Sequence, residues 1–221
     1  MKDDCIAVLA KSTLFGNIEP ENISAMLQCL SARMLKYEKG EFILHAGDKV
    51  NSVGIVVDGK VNMFREDYWG NRNIMGFAEK GDLFAEVYAC KPETTIAVSV
   101  EAEEDTTVIF LNVRKILTTC SSACRFHTQL ISNFISVLAQ KTLRMNEKLE
   151  HMSQRTTRDK LLSYLSSAAL RAGSPTFTIP YNRQQLADYL GVDRSAMSNE
   201  LSKMRKEGII DFERSTFKLL K

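Results

Sequence analysis

The run Asn182-Arg183-Gln184-Gln185-Leu186-Ala187-Asp188-Tyr189-Leu190-Gly191-Val192-Asp193-Arg194-Ser195-Ala196-Met197-Ser198-Asn199 decides the fold of the C-terminal third. Asn182 with Gln185 three residues later has the form of a capping box that starts a helix. Leu186, Ala187 and Leu190 form that helix's buried face. Gly191 stands where a tight turn needs a residue that tolerates positive φ. Asp193 caps a second helix with the apolar face Met197, Leu201 and Met204. Two short helices around a glycine turn form a helix-turn-helix. The second helix leaves Arg194, Ser195, Ser198 and Asn199 exposed near its N-terminus, the positions that meet base edges when such a helix enters a major groove. Arginine pairs bidentately with guanine and asparagine with adenine. Ser202, Lys203, Arg205 and Lys206 suit phosphates, which position without reading sequence, and Arg183 joins them as a DNA-binding candidate. Beyond lie Gly208 to Phe212 and Phe217 to Leu220, which predict a small hairpin wing around Arg214 and Ser215. An ordinary helical hairpin with a basic surface is the alternative.

Working back along the chain, Thr156 or Thr157 caps a helix carrying Leu161, Leu162 and Leu165, with Asp159 three residues after Thr156. Gly173-Ser174-Pro175 breaks it, and Thr176 to Pro180 reads as a short strand. Before it, about Ala123 to Met152 contains no Gly or Pro and predicts one long helix. Ile131, Ile135, Leu138, Thr142, Met145, Leu149 and Met152 recur at alternating spacings of four and three, the seam of a two-stranded coiled coil. The seam implies a homodimer. Packing of the same row on the chain's own body is the other outcome.

The stretch from about Leu35 to Val113 reads as strands and turns. Seven of the eleven glycines fall between Gly40 and Gly81. Between the turns lie Phe42–Leu44, Gly54–Val57, Val61–Phe64, Thr95–Val100 and Thr107–Leu111. Asp58-Gly59, between two such runs, is a hairpin signal. Many short strands with regular turns indicate an antiparallel barrel or roll. Ahead of it, Pro20 and Glu21 open an amphipathic helix with Ile23, Met26, Leu27 and Leu30 on one face. The expected organisation is a roll with its N-terminal helix over 1–122, a dimerisation helix over 123–152 and a winged helix-turn-helix over 153–221. The fold class is α+β.

Composition fits this reading. Of 221 residues, 44% are hydrophobic and 25% charged, ordinary for a globular chain. The net charge of +2 is unevenly distributed. From His151 onward 12 Lys+Arg face 7 Asp+Glu, a net +5, and the rest carries 17 against 20, a net −3. A basic end on an acidic body points to an anionic partner for that end. No apolar run reaches a membrane span, the start has no signal-peptide pattern, and five cysteines do not suggest a disulfide framework. A cytoplasmic protein without cofactor or metal is expected. No nucleophile–base pair, phosphate-cradling glycine loop or metal cluster supports an enzyme.

Roll, long helix and winged helix-turn-helix, in that order, resemble the Crp/Fnr family of bacterial transcription regulators over nearly the whole chain. The run Leu186 to Ser195 is similar to the family's recognition unit. Gly81-Asp82-Leu83-Phe84-Ala85-Glu86 resembles the loop that holds a cyclic nucleotide. The resemblance implies a cupin-like roll of cyclic-nucleotide-binding type, a homodimer on a two-fold symmetric operator, an effector in the roll, and RNA polymerase as a partner. By the same analogy Met63, Phe77, Leu83, Phe84, Glu86, Ile96, Ala97, Met145 and Asn146 line an effector pocket. The cyclic-AMP-binding members place Arg and Ser ten and eleven residues after the pocket Glu, where this chain has Ile96 and Ala97. An apolar pair does not bind a buried phosphate, so the effector expected is not cyclic AMP. Met145 and Asn146 stand at the positions that meet adenine. A ligand-independent regulator whose roll is filled scaffold remains open. So does a redox or haem sensor. Cys5 and Cys29 lack the local spacing of cluster ligands, Cys120 and Cys124 stand four apart, and His45, His127 and His151 lack metal spacing. Ser195 and Asn199 replace the Glu and Arg of the cyclic-AMP-binding members, so the DNA sequence read differs.

Overall fold

The computed structural model describes residues 3–70, 72–118 and 125–220. Cys120 and Cys124 lie outside the described residues. The chain forms two compact units, Met1–Ala139 and Gln140–Lys221.

The first unit opens with helices α1 (Asp3–Lys11) and α2 (Pro20–Cys29). Pro20 at the start of α2 costs no hydrogen bond there and presets helical φ. Ile23, Met26, Leu27 and Leu30 are all buried, as their spacing predicts. Eight strands follow: β1 (Arg33–Tyr37), β2 (Phe42–Leu44), β3 (Ser52–Asp58), β4 (Lys60–Glu66), β5 (Arg72–Glu79), β6 (Leu83–Phe84), β7 (Ser99–Ala102) and β8 (Thr106–Asn112). They make two four-stranded sheets with orders β1-β8-β3-β6 and β2-β7-β4-β5, antiparallel throughout. Short helices α3 (Glu86–Ala89) and α4 (Val113–Leu117) interrupt and close the roll.

Asp58-Gly59 is not a hairpin, contrary to its sequence signal. β3 pairs with β6 and β8, and β4 pairs with β5 and β7. The dipeptide therefore carries the chain from one sheet to the other. Gly59 has φ +83°, and a Cβ there would stand 2.6 Å from the Asp105 carbonyl. The neighbouring Lys60 N–H donates to Thr106 Oγ1 at 3.2 Å. A corner clamped this closely on a distant turn uses the same positive φ as a hairpin, so the local signal cannot separate them. The hairpin lies one strand later, where Glu66 pairs with Arg72 across a turn containing Asp67 to Gly70. The predicted strand Thr95–Val100 also shifts: only a lone bridge joins Thr95 to Lys49, and pairing runs from Ser99 to Ala102.

The long helix α5 spans Arg125–Ser153. In the first unit it buries Leu130, Phe134 and Val137 in the roll's core. Each such side chain contributes about 1.5–3 kcal/mol. Asn133 Nδ2 donates to the carbonyls of Leu14 and Gly16 at 3.0 and 2.7 Å, and His127 Nε2 bonds the Ile116 carbonyl at 3.0 Å. The packed row is thus one residue out of phase with the predicted seam. Ile135 stays 57% exposed, while Leu138 is partly buried against the core.

The second unit holds the end of α5, α6 (Thr157–Ala172), β9 (Thr176–Thr178), α7 (Arg183–Leu190), α8 (Arg194–Lys206), β10 (Ile210–Glu213) and β11 (Thr216–Leu219). Its sheet has the order β10-β11-β9. Leu161, Leu165, Leu186, Leu190, Met197, Leu201, Met204 and Phe217 form its core. The compact units divide inside α5 and not at either of its ends, because side chains on the two halves of the helix pack into separate cores.

In the roll, Gly54 faces Phe84 across the β3–β6 pair, and a Cβ on it would stand 2.3 Å from Phe84 Cζ. The Phe84 ring is itself held edge-on by Phe110 at 6.1 Å. Gly54→Ala is expected to destabilise the roll by about 1–3 kcal/mol through overpacking. Denaturant unfolding checks this, and a Gly54→Ala/Phe84→Leu double variant should recover part of the loss. Wild-type stability in the single variant would contradict it.

Candidate nucleic-acid interface

Local chemistry fixes the second unit's two short helices. Asn182 Oδ1 accepts from the Gln185 N–H at 2.9 Å, and Gln185 Oε1 accepts from the Asn182 N–H at 2.9 Å. That is the predicted capping box, complete. Gly191 ends α7 with φ 61°. Asp193 Oδ1 accepts from the Ala196 N–H at 2.8 Å, so a carboxylate sits at the positive end of α8, where helix dipole and cap both favour it. Upstream, Thr156 caps α6 through the Asp159 N–H at 3.1 Å.

Met197, Leu201 and Met204 face the core, which turns the opposite side of α8 outward. Arg194, Ser195, Asn199, Ser202 and Lys203 are exposed and Ser198 is half-buried. The candidates on α8 therefore gather on one face. Among the described residues Arg194 and Lys206 make no ion pair. Lys203 reaches Glu200 at 3.6 Å and Arg205 reaches Asp211 at 2.7 Å. The Arg205–Asp211 pair is exposed at both ends, and such a pair contributes little and yields readily to a phosphate. The Ser202 hydroxyl donates back to the Ser198 carbonyl at 2.9 Å.

Arg183 is placed differently from the candidates on α8. Its guanidinium lies over the rings of Phe212 and Phe217, 4.8 and 5.0 Å from their centroids, and burial pushes its pKa down. It ties the start of α7 to the wing and is half-buried. The wing itself is present, with β10 and β11 joined through Arg214 at φ 51°. Arg214 and Lys218 are exposed on it. Arg214 stands at the hairpin tip and Lys218 within β11, and these two extend the candidate set. Arg158 carried no signal. It pairs with Glu200 at 3.3 Å and with Glu207, fastening the start of α6 to α8 across more than forty residues of sequence.

The pocket candidates of the roll fall into two groups. Leu83, Phe84, Glu86 and Ile96 are buried, at 4%, 1%, 5% and 1% exposure, and Met63 is half-buried against the same core. Phe77 and Ala97 are exposed. Met145 and Asn146, in the second unit, are also exposed. Ala85, just before Glu86, takes φ 61°, a left-handed conformation that ordinarily favours glycine. Among the described residues, no group of three or more His, Cys, Asp or Glu side chains is placed to hold a metal, and no helix is long and apolar enough to cross a membrane.

Known proteins match this architecture. The cyclic nucleotide-binding domain family matches residues 34–123, and the Crp-like helix-turn-helix domain family matches residues 159–221. The chain is 26% identical over 200 residues to the cyclic AMP receptor protein of Thermus thermophilus, covering 90% of this chain and 88% of that one. It is 25% identical over 202 residues to the transcriptional activator protein FnrL of Cereibacter sphaeroides, covering 80% and 72%. The crystal structure of the Thermus thermophilus catabolite activator protein superposes with a TM-score of 0.55 at 25% identity, covering 94% of this chain and 93% of that one.

Removing the α8 cap with Asp193→Ala should cost the second unit about 1 kcal/mol. Urea unfolding followed by far-UV circular dichroism checks this. An unshifted midpoint would mean that the cap does not hold the helix.

Proposed function

The chain belongs to the Crp/Fnr family of transcription regulators, and from that premise we propose that it acts as a homodimer on a two-fold symmetric DNA operator, under control of an effector in the roll other than cyclic AMP. As a member of a regulator family it is not an enzyme, and its helix-turn-helix domain is the DNA-binding part.

The outward face of α8 carries this reading. Arg194, Ser195 and Asn199 stand at the helix's N-terminal end, where a helix laid in the major groove meets base edges. Ser198, Ser202, Lys203 and Lys206 continue toward the backbone, Arg214 and Lys218 extend to the wing, and Arg183 acts by holding the wing to α7. The net +5 of the chain after His151 supplies the attraction to phosphate.

An uncovered apolar row supports the dimer. Ile135, Met145 and Leu149 are 57%, 66% and 59% exposed on α5, and with Ile131, Leu138, Thr142 and Met152 they keep the spacing of a two-stranded coil. Two recognition helices about 34 Å apart would read half-sites one turn apart. RNA polymerase is the protein partner such a regulator engages, and the cytoplasm is where its DNA lies.

Buried, apolar Ile96 speaks against cyclic AMP, because a cyclic phosphate needs a cation or donor at that place. The effector would lie near Glu86, Met63 and Phe77, with Ala97 at the analogous rim. One observation favours a second reading, the ligand-independent regulator: Leu83, Phe84 and Ile96 fill the core, and Phe84 closes directly on Gly54.

Arg194→Ala is expected to lower affinity for the protein's selected DNA site by about 10–100-fold and to relax the base preference at one position per half-site. Unchanged affinity and preference would remove Arg194 from the reading set. Placing lysines at Met145 and Leu149 together should give a monomer in sedimentation equilibrium, by setting like charges in the seam. A stable dimer in that variant would contradict the seam.

A further inference from the structure

The end of α5 buries an imidazole inside the DNA-binding unit. His151 has no exposed surface. On its own helix, Glu147 Oε1 stands 3.8 Å from Nε2, Glu150 lies one residue before, and Lys148 sits 5.4 Å over the Tyr189 ring. From α6, Ser163 Oγ lies 2.8 Å from Nδ1 and the Tyr164 ring packs edge-on at 5.7 Å. Also on α6, Arg171 is paired with Glu147, and Lys160 Nζ donates to the Leu190 carbonyl at 3.2 Å. From α7, the Tyr189 ring packs at 6.3 Å. Tyr181, with Arg144 acting on it, packs tilted against Tyr189 at 5.1 Å. Nε2 has no hydrogen-bond partner.

The next residue extends this seat to the recognition helix. Met152 Cε stands 3.1 Å from where a Cβ on Gly191 would be. Gly191 is the turn residue that sets the direction of α8 after α7. One turn of α5 thus holds the end of α7 through Tyr189 and the turn itself through Met152.

A neutral imidazole suits this seat. Ser163 satisfies one nitrogen, and the aromatic rings accept the neutral ring's faces and edges. An imidazolium carries two N–H donors, and Glu147, the carboxylate near Nε2, is already shared with Arg171. Burial therefore opposes the charge, outweighs the pull of Glu150 and holds the His151 pKa below its ordinary value.

We propose that His151 is a positioning residue for DNA reading: as the neutral imidazole it locks the end of α5 onto α6 and α7, and its protonation releases the α7–Gly191–α8 assembly, so that operator affinity falls on acidification. This rests on the DNA reading proposed above. A pKa depressed in the docked state leaves the seat at full strength above the ordinary histidine value of about 6.5. The seat weakens as pH falls through the lower, docked value. Released and docked assemblies then exchange as two populations, of which only the docked one presents α8 correctly.

The test uses the full chain and the DNA consensus it selects at about pH 7.5. Affinity is measured from about pH 8 to 5 at fixed ionic strength for wild type and His151→Gln, whose amide can bond Ser163 without titrating. Between about pH 7.5 and 5.5, wild type should lose at least about threefold more affinity than His151→Gln. NMR of the wild-type imidazole, identified by its contacts to the Tyr164 and Tyr189 rings, should show titration below about 6.5, and needs no variant to fold. Parallel affinity profiles, or titration at or above that value, would overturn the proposal. Absence of any DNA consensus at about pH 7.5 would instead sink the DNA reading itself.

Discussion

A helix with two apolar rows can bury only one of them against a single globular body, and α5 is such a helix. Leu130, Phe134 and Val137 point into the roll's core, with Asn133 bonded to the carbonyls of Leu14 and Gly16 to fix the rotation. That choice commits the neighbouring row, and Ile135, Met145 and Leu149 stand in water. Leaving three large side chains exposed along one stripe is costly for a monomer. The proposed dimer is the arrangement that removes the cost, and it would bring a second recognition helix with it.

The far end of the same helix does different work. Glu147, His151 and Met152 contact α6, α7 and the turn that follows α7, so that one face of the last turns of α5 belongs to the interior of the DNA-binding unit, the reading head. Within the head, Arg158 spans Glu200 and Glu207 and Arg183 lies over Phe212 and Phe217. These contacts hold α6, α7, α8 and the wing as one body, leaving Arg194, Asn199 and Lys206 turned outward.

Much of this was legible in the sequence because local chemistry determines it. Asn182 with Gln185, Gly191 and Asp193 specify a helix, a turn and a second helix through bonds spanning three or four residues, and the structure forms each of them. The alternation of short β-rich runs and glycines likewise located β2, β3, β4 and β8 and the start of β7, whereas β1, β5 and β6 carried no such run. What sequence could not resolve depends on distant partners. Asp58-Gly59 has hairpin chemistry, yet Asp105 and Thr106 make it a corner between sheets. Arg183 is a base next to a recognition motif, and only the folded wing reveals the rings beneath it. The loop around Glu86 resembles a nucleotide site, but the packing of Phe84 on Gly54 is visible only in three dimensions. In sequence His151 is marked only by its lack of metal spacing, and its seat comes from α6 and α7.

Selection of random duplex DNA by the purified full-length chain, read by sequencing with and without a small-molecule extract, tests the central claim most directly. The account predicts a two-fold symmetric consensus with half-sites one helical turn apart, enriched more strongly when the extract is present. Enrichment of a single asymmetric site, or of no site in either condition, would contradict a dimeric reader of symmetric operators.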